Sequence, residues 1–165
     1  MEYRMISLPP FRAASSGVDT VGDFSEGSLL WKFDQYFSKI RPCPRDDFMP
    51  RDFLYYDEAN KGVVWMWALS EGMDDGGHEI IDFDGGLYLT YAYRDGDGEA
   101  NDRLYSGAMQ YIEDSGVLEL DSRPGHYAMG HIITPPELIE AQSWAQMETF
   151  IPVKLKNKNK NPRRD

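Results

Sequence analysis

The feature that most constrains this chain is that its pattern runs twice. Each pass reads strand, helix, then a pair of strands, and the second begins about eighty residues after the first. In the first pass Tyr3 to Ser15 reads as a strand, and Asp23, followed three residues later by Glu26, offers a capping-box-like helix start. Leu29, Leu30, Phe33, Phe37 and Ile40 recur at helical spacing, so one apolar stripe runs along a helix that ends before Pro42 and Pro44. Phe53 to Tyr56 and Val63 to Leu69 flank the turn-rich segment DEANKG and read as a hairpin.

In the second pass the strand Leu87 to Tyr93 is entered through Gly85-Gly86 and left through RDGDGE. Asn101 is expected to cap the next helix, whose buried stripe is Leu104, Ala108 and Ile112, with Tyr105 and Tyr111 at its margins. Gly116 stands where a left-handed C-terminal cap is wanted. Two strands follow, His126 to Ile133 and Gln146 to Leu155, joined by a link through Pro135 and Pro136 that is expected to hold a short irregular strand. Tandem β-α-β-β units imply an α+β domain with a mainly antiparallel sheet, both helices on one face and a concave ligand cleft on the other.

Charge narrows the partners. The formal net charge is −11, but six of the 17 basic residues lie in the last dozen positions, which leaves 11 basic against 27 acidic groups in residues 1–153. A body that acidic repels phosphate backbones and favours cationic or neutral aromatic ligands, so it is not expected to bind nucleic acid. Residues 154–165, KLKNKNKNPRRD, read as a basic disordered tail on a domain of residues 1–153. The longest apolar run, Val63 to Leu69, is far short of the ~20 residues of a membrane span, and MEYRMISLPP does not resemble a signal peptide. With Cys43 as the single cysteine, a soluble cytoplasmic protein is expected.

The face opposite the helices is where ligand chemistry is sought, and three strands carry large or polar residues on a common parity. Trp65 and Trp67 share a face, as do Tyr91 and Tyr93. On the last strand Glu148, Phe150 and Pro152 share one face, while Met147, Thr149, Ile151 and Val153 take the other. Glu148 is the informative member, because a carboxylate in an otherwise apolar strand must reach water, pair with a cation or become protonated. The competing readings are ordinary core packing for the tryptophans and a salt bridge for Glu148, to an arginine such as Arg94. No metal site, cofactor or catalytic group is expected: His126 and His131 fall on opposite parities, and no Walker loop, nucleophile elbow or dinucleotide fingerprint occurs.

The segments LPPFRAA, GGLYLTYAYR, YIEDSG, LDSRPGHY and above all METFIPVKL resemble the GyrI-like small-molecule-binding domains, which include the effector-binding domains of AraC-type and MerR-type multidrug regulators. The resemblance spans nearly the whole body. It implies two tandem β-α-β-β units with a concave cleft for hydrophobic, often cationic aromatic compounds, and it matches Glu148 to the acidic position that opposes the ligand's charge. The expected ligand-binding residues are Glu148, by its match to the family position, and Trp65, Trp67, Tyr91, Tyr93 and Phe150, by their shared parity along the strands. A second family carboxylate, carried by a Pro-x-Phe-Glu-type segment, has no match in Pro124-Gly125-His126-Tyr127. No recognition helix for DNA occurs, so a free-standing sensor or sequestering protein is the reading. The resemblance also carries two alternatives: a hydrolase of cyclopropane-bearing DNA alkylators working in an aromatic cage, and a gyrase-binding inhibitor. The distantly similar SOUL proteins bind haem, but no histidine here reads as an axial ligand.

Overall fold

Two proline residues in a row, Pro9 and Pro10, remove backbone donors where the first long apolar segment would continue as one strand. In the computed structural model, which describes residues 2–40 and 51–157, that segment is accordingly two strands, β1 (Arg4–Leu8) and β2 (Phe11–Asp19). The remaining elements are α1 (Leu29–Phe37), β3 (Asp52–Asp57), β4 (Gly62–Ala68), β5 (Glu79–Phe83), β6 (Gly86–Arg94), α2 (Gly98–Asp114), β7 (Leu118–Leu120), β8 (Met129–Ile132), α3 (Pro136–Gln142) and β9 (Gln146–Leu155).

All the strands form one antiparallel sheet in the order β1-β6-β9-β8-β3-β4-β2-β5, with β7 paired to the far end of β9. The duplication is visible in that order: β6-β9-β8 repeats β2-β4-β3, and the two halves meet at the β8–β3 seam. Each half lends its leading strand to the other. β1 precedes β2 yet pairs with β6, and β5 precedes β6 yet pairs with β2. The links Pro9-Pro10 and Asp84-Gly85 therefore pass against each other. Gly85 makes this possible, since it has φ +72° and a Cβ there would collide with the backbone of Leu8, Pro9 and Pro10.

Register assigns the faces. Trp65, Leu54, Gly130, Thr149 and Tyr91 are successive cross-strand partners and so share one face. Helix α1 covers that face at β2 and β4, with Phe33 and Phe37 against Ala14, Trp65 and Trp67. Helix α2 covers it at β6 and β9, with Leu104, Ala108 and Ile112 against Leu89, Tyr91, Ile151 and Val153. Both long helices thus lie on one face. On the other, Leu8, Ala13, Phe53, Met66, Phe83, Tyr88, Met129 and Phe150 form a single core cluster. Leu8 and Phe83 belong to strands at opposite ends of the sheet order, so the sheet is curled into a half-barrel, with the Phe83 and Tyr88 rings 6.4 Å apart.

Several local expectations are corrected. The capping residue of α1 is Ser28, whose Oγ accepts from the Trp31 N–H, while Asp23 turns back to accept from the Ser25 N–H. Asp97 within RDGDGE caps α2, accepting from the Ala100 N–H, and Asn101 lies inside that helix. Pro135 and Pro136 open the short helix α3 instead of a strand, because proline suits a first helical turn. The strand expected over 126–133 shortens to β8, and β5 and β7 are additional. Strand β9 pairs with β7 as far as Leu155, two residues into the segment read as a tail. Pro42, Cys43, Pro44 and residues 158–165 lie outside the described residues.

Gly85→Ala should destabilise the fold by about 2 kcal/mol or more, measured by urea unfolding, because it adds both a left-handed strain and a backbone collision at the strand exchange.

Candidate functional site

Strand β9 brings Glu148, Phe150 and Pro152 to the concave face and turns Met147, Thr149, Ile151 and Val153 toward the helices. Glu148 is only 3% exposed. The Thr90 hydroxyl donates to its Oε1 at 2.7 Å, and the Arg4 guanidinium forms an ion pair with the same oxygen. The two charges are unequal in setting: the Arg4 side chain is 67% exposed and that of Glu148 4%. The cross-strand neighbours of Glu148 are Ala92, which is exposed, and His131. The carboxylate therefore lies near the open end of the concave face, one step outward along β9 from the wholly buried Phe150.

Aromatic surface continues inward from that point. Phe150 meets Phe53 edge-on at 5.4 Å and Tyr88 at 6.3 Å. His131 flanks the carboxylate with its ring 6.0 Å from Phe53 and its Nδ1 2.9 Å from the Asp52 carbonyl oxygen. Deeper in the concave face a cavity of about 210 Å³ is bounded by Tyr55, Met66, Ile81, Phe83, Tyr127 and Met129. Tyr127 stacks on Tyr55 at 4.7 Å, and both rings line this cavity. The segment carrying it is tied down at Asp121, which accepts from Arg123, and at His126, whose Nε2 lies 3.0 Å from the Gly85 carbonyl oxygen.

The other aromatic residues picked out by parity lie across the sheet. Trp65 packs 5.5 Å from Phe33 of α1 and its indole N–H donates to Asp52, while Trp67 stacks on Phe37 at 5.3 Å. Tyr91 donates to the Asn101 side-chain oxygen at 2.8 Å. With Tyr93, Tyr105, Leu54, Met147 and Thr149 it lines a groove of about 340 Å³ on the helix-bearing face. The structure thus brings Glu148 and Phe150 together on one face and places Trp65, Trp67, Tyr91 and Tyr93 on the other. Sequence reasoning missed Arg4 and Thr90. A signal existed for Arg4, which has the same parity as Ile6 and Leu8 and is the charged member of an inward-facing set.

Burial raises the tyrosine pKa values. Desolvation, helped by Tyr127 and Asp57, pushes Tyr55 up to about 12, and desolvation pushes Tyr91 up to about 12 against an opposing Thr149 hydrogen bond. Both exceed the ordinary 10.0, so the unfolded chain releases these protons first. Stability from these residues is accordingly complete below pH 10.0 and falls as pH rises toward about 12. An alkaline absorbance titration should show a group of late-ionising tyrosines, Tyr55, Tyr88 and Tyr91 foremost among them, with Tyr55→Phe removing one.

Among the described residues no helix is long and apolar enough to cross a membrane. No protein-family model and no curated protein matches the sequence. Solved structures do match. A hydrolase from Listeria innocua superposes with TM-score 0.57 at 12% identity, over 93% of this chain and 92% of that one. SAV2435 bound to tetraphenylphosphonium gives TM-score 0.57 at 13% identity, over 93% and 94%. The EcmrR C-terminal domain gives TM-score 0.59 at 18% identity, over 92% and 96%. At such identities the likeness is one of fold: an α+β domain whose curled antiparallel half-barrel sheet is shared over nearly the full length of each chain.

Proposed function

We propose that this chain is a GyrI-like binding protein for hydrophobic aromatic small molecules, above all cationic ones, and that it takes them at the open end of the concave face in a cytoplasmic role of sensing or sequestration. Glu148 supplies the counter-charge, and the buried Phe150 ring backs the site beside it. In this reading Trp65 and Trp67 anchor α1, and Tyr91 and Tyr93 anchor α2 and line the groove behind the sheet. The observation that carries the proposal is a carboxylate 3% exposed at the edge of an aromatic and aliphatic core cluster on the concave face. An isolated charge there costs several kcal/mol; in the structure the largely exposed Arg4 side chain offsets that cost, and an organic cation at the same place would do so too.

Two further facts support it. The chain's net charge of −11 concentrates cations around the molecule. SAV2435, which shares the fold, was solved with an aryl phosphonium cation bound. A cation over a ring contributes ~0.5–2 kcal/mol, and a micromolar complex needs about 8 kcal/mol, so one ion pair and a few ring contacts reach that range with apolar burial. Breadth follows from the same chemistry, because π-faces and a single charge specify little about ligand shape.

Isothermal titration calorimetry with tetraphenylphosphonium and with neutral triphenylphosphine oxide tests the reading directly. Glu148→Gln should weaken the phosphonium about ten-fold or more and leave the phosphine oxide nearly unchanged. Equal losses for both ligands would assign Glu148 a purely structural role, and absence of saturable heat from either would overturn the proposal.

A further inference from the structure

The ion pair at Glu148 has a consequence for any ligand that uses this carboxylate. Its partner comes from β1, the strand at one end of the sheet order, and Arg4 lies on the concave face with Ile6 and Leu8. The carboxylate is the fixed member of the pair: it is buried, and Thr90 holds it from the adjacent strand. The guanidinium is the movable member, two-thirds in water while still paired. Swinging Arg4 outward exposes little that is not already hydrated, whereas leaving Glu148 alone strands a buried charge. Departure of Arg4 is therefore coupled to arrival of another cation.

Resting on the reading that Glu148 receives the ligand's charge, we propose that Arg4 is a resident surrogate for that charge: an exchangeable guanidinium that occupies Glu148 until an organic cation displaces it. The exchange keeps the carboxylate paired throughout, and Thr90 keeps it oriented for the incoming group. It also sets selectivity. A hydrated inorganic cation brings no apolar surface and gains nothing over Arg4, and a neutral ring does not displace it. A cation carrying aromatic groups replaces the ion pair and adds apolar contact at the open end of the concave face, beside the His131 ring and in front of the buried Phe150. Arg4 thus raises the threshold for binding and confines high affinity to ligands that combine charge with apolar surface.

The size of the effect follows from occupancy. If Arg4 holds Glu148 for about nine-tenths of the time, the apparent dissociation constant for a cation is raised about ten-fold. Arg4→Ala should then bind tetraphenylphosphonium about ten-fold more tightly than wild type by calorimetry. Arg4→Lys should stay near wild type, triphenylphosphine oxide should be indifferent to either change, and the gain should vanish in the Arg4→Ala, Glu148→Gln double variant. Because Arg4→Ala leaves Glu148 unpaired, a thermal melt accompanies it, and the wild-type protein supplies an independent reading. The Arg4 Nε–H resonance should move to the free-arginine position as the phosphonium saturates. An Arg4 signal that stays in place while the cation binds, or an Arg4→Ala variant that is folded but gains no affinity, overturns the exchange and leaves the binding reading standing. Lack of cation binding by both wild type and Arg4→Ala overturns both.

Discussion

The structure depends on the exchange of leading strands between its two halves. Because β1 pairs with β6 and β5 with β2, neither β-α-β-β unit completes its own sheet, and the two links must pass in contact at Leu8-Pro9-Pro10 and Gly85. The exchange draws the sheet ends together and brings Leu8, Phe83, Tyr88 and Phe150 into one cluster on the concave side. A flat sheet with the same pairings inside each half would leave those rings in water. The curl therefore rests on burial of aromatic surface, the dominant favourable contribution in a domain of this size.

That packing creates the electrostatic problem on which the site turns. A concave face sealed by aromatic rings is a poor place for a charge, yet Glu148 stands there next to Phe150. Thr90 and Arg4 resolve the conflict in different ways. Thr90 contributes a hydrogen bond to the carboxylate from a neutral hydroxyl in a buried position, and Arg4 contributes charge from the solvent side. Binding of an organic cation and its regulation by a side chain of the same chain are then two aspects of one desolvation balance. On the helix-bearing face the polar contacts are of another kind: Tyr91 to Asn101 and Trp65 to Asp52 are neutral donors meeting side-chain oxygens.

Much of the fold was legible in local pattern. The stripe Leu104, Ala108 and Ile112 is the buried face of α2, the segment around DEANKG is the β3–β4 hairpin, and the last strand spans Gln146–Leu155 as its alternation indicated. Elements were missed where local signals competed. Short β5 and β7 lack a run long enough to show alternation, and the helix caps went to Ser28 and Asp97 because several capping residues stand near each start. The site was legible in part. Parity within β9 correctly separates Glu148 and Phe150 from Thr149 and Ile151. The same parity within β4 and β6 pairs Trp65 with Trp67 and Tyr91 with Tyr93, but it carries no information on which side of the sheet each pair stands.

By itself, then, the sequence determined the duplication, the helical stripes, the alternation along each strand and the oddity of a carboxylate in an apolar one, because these are properties of residues a few positions apart. Only the tertiary structure decided that β1 and β5 change partners, that the four helix-side aromatics lie across the sheet from Glu148, and that the carboxylate's partner is Arg4. Those facts depend on register between strands up to 144 residues apart in the chain. A one-residue shift in any pairing reverses the face of every side chain it carries, and no local pattern sets that choice.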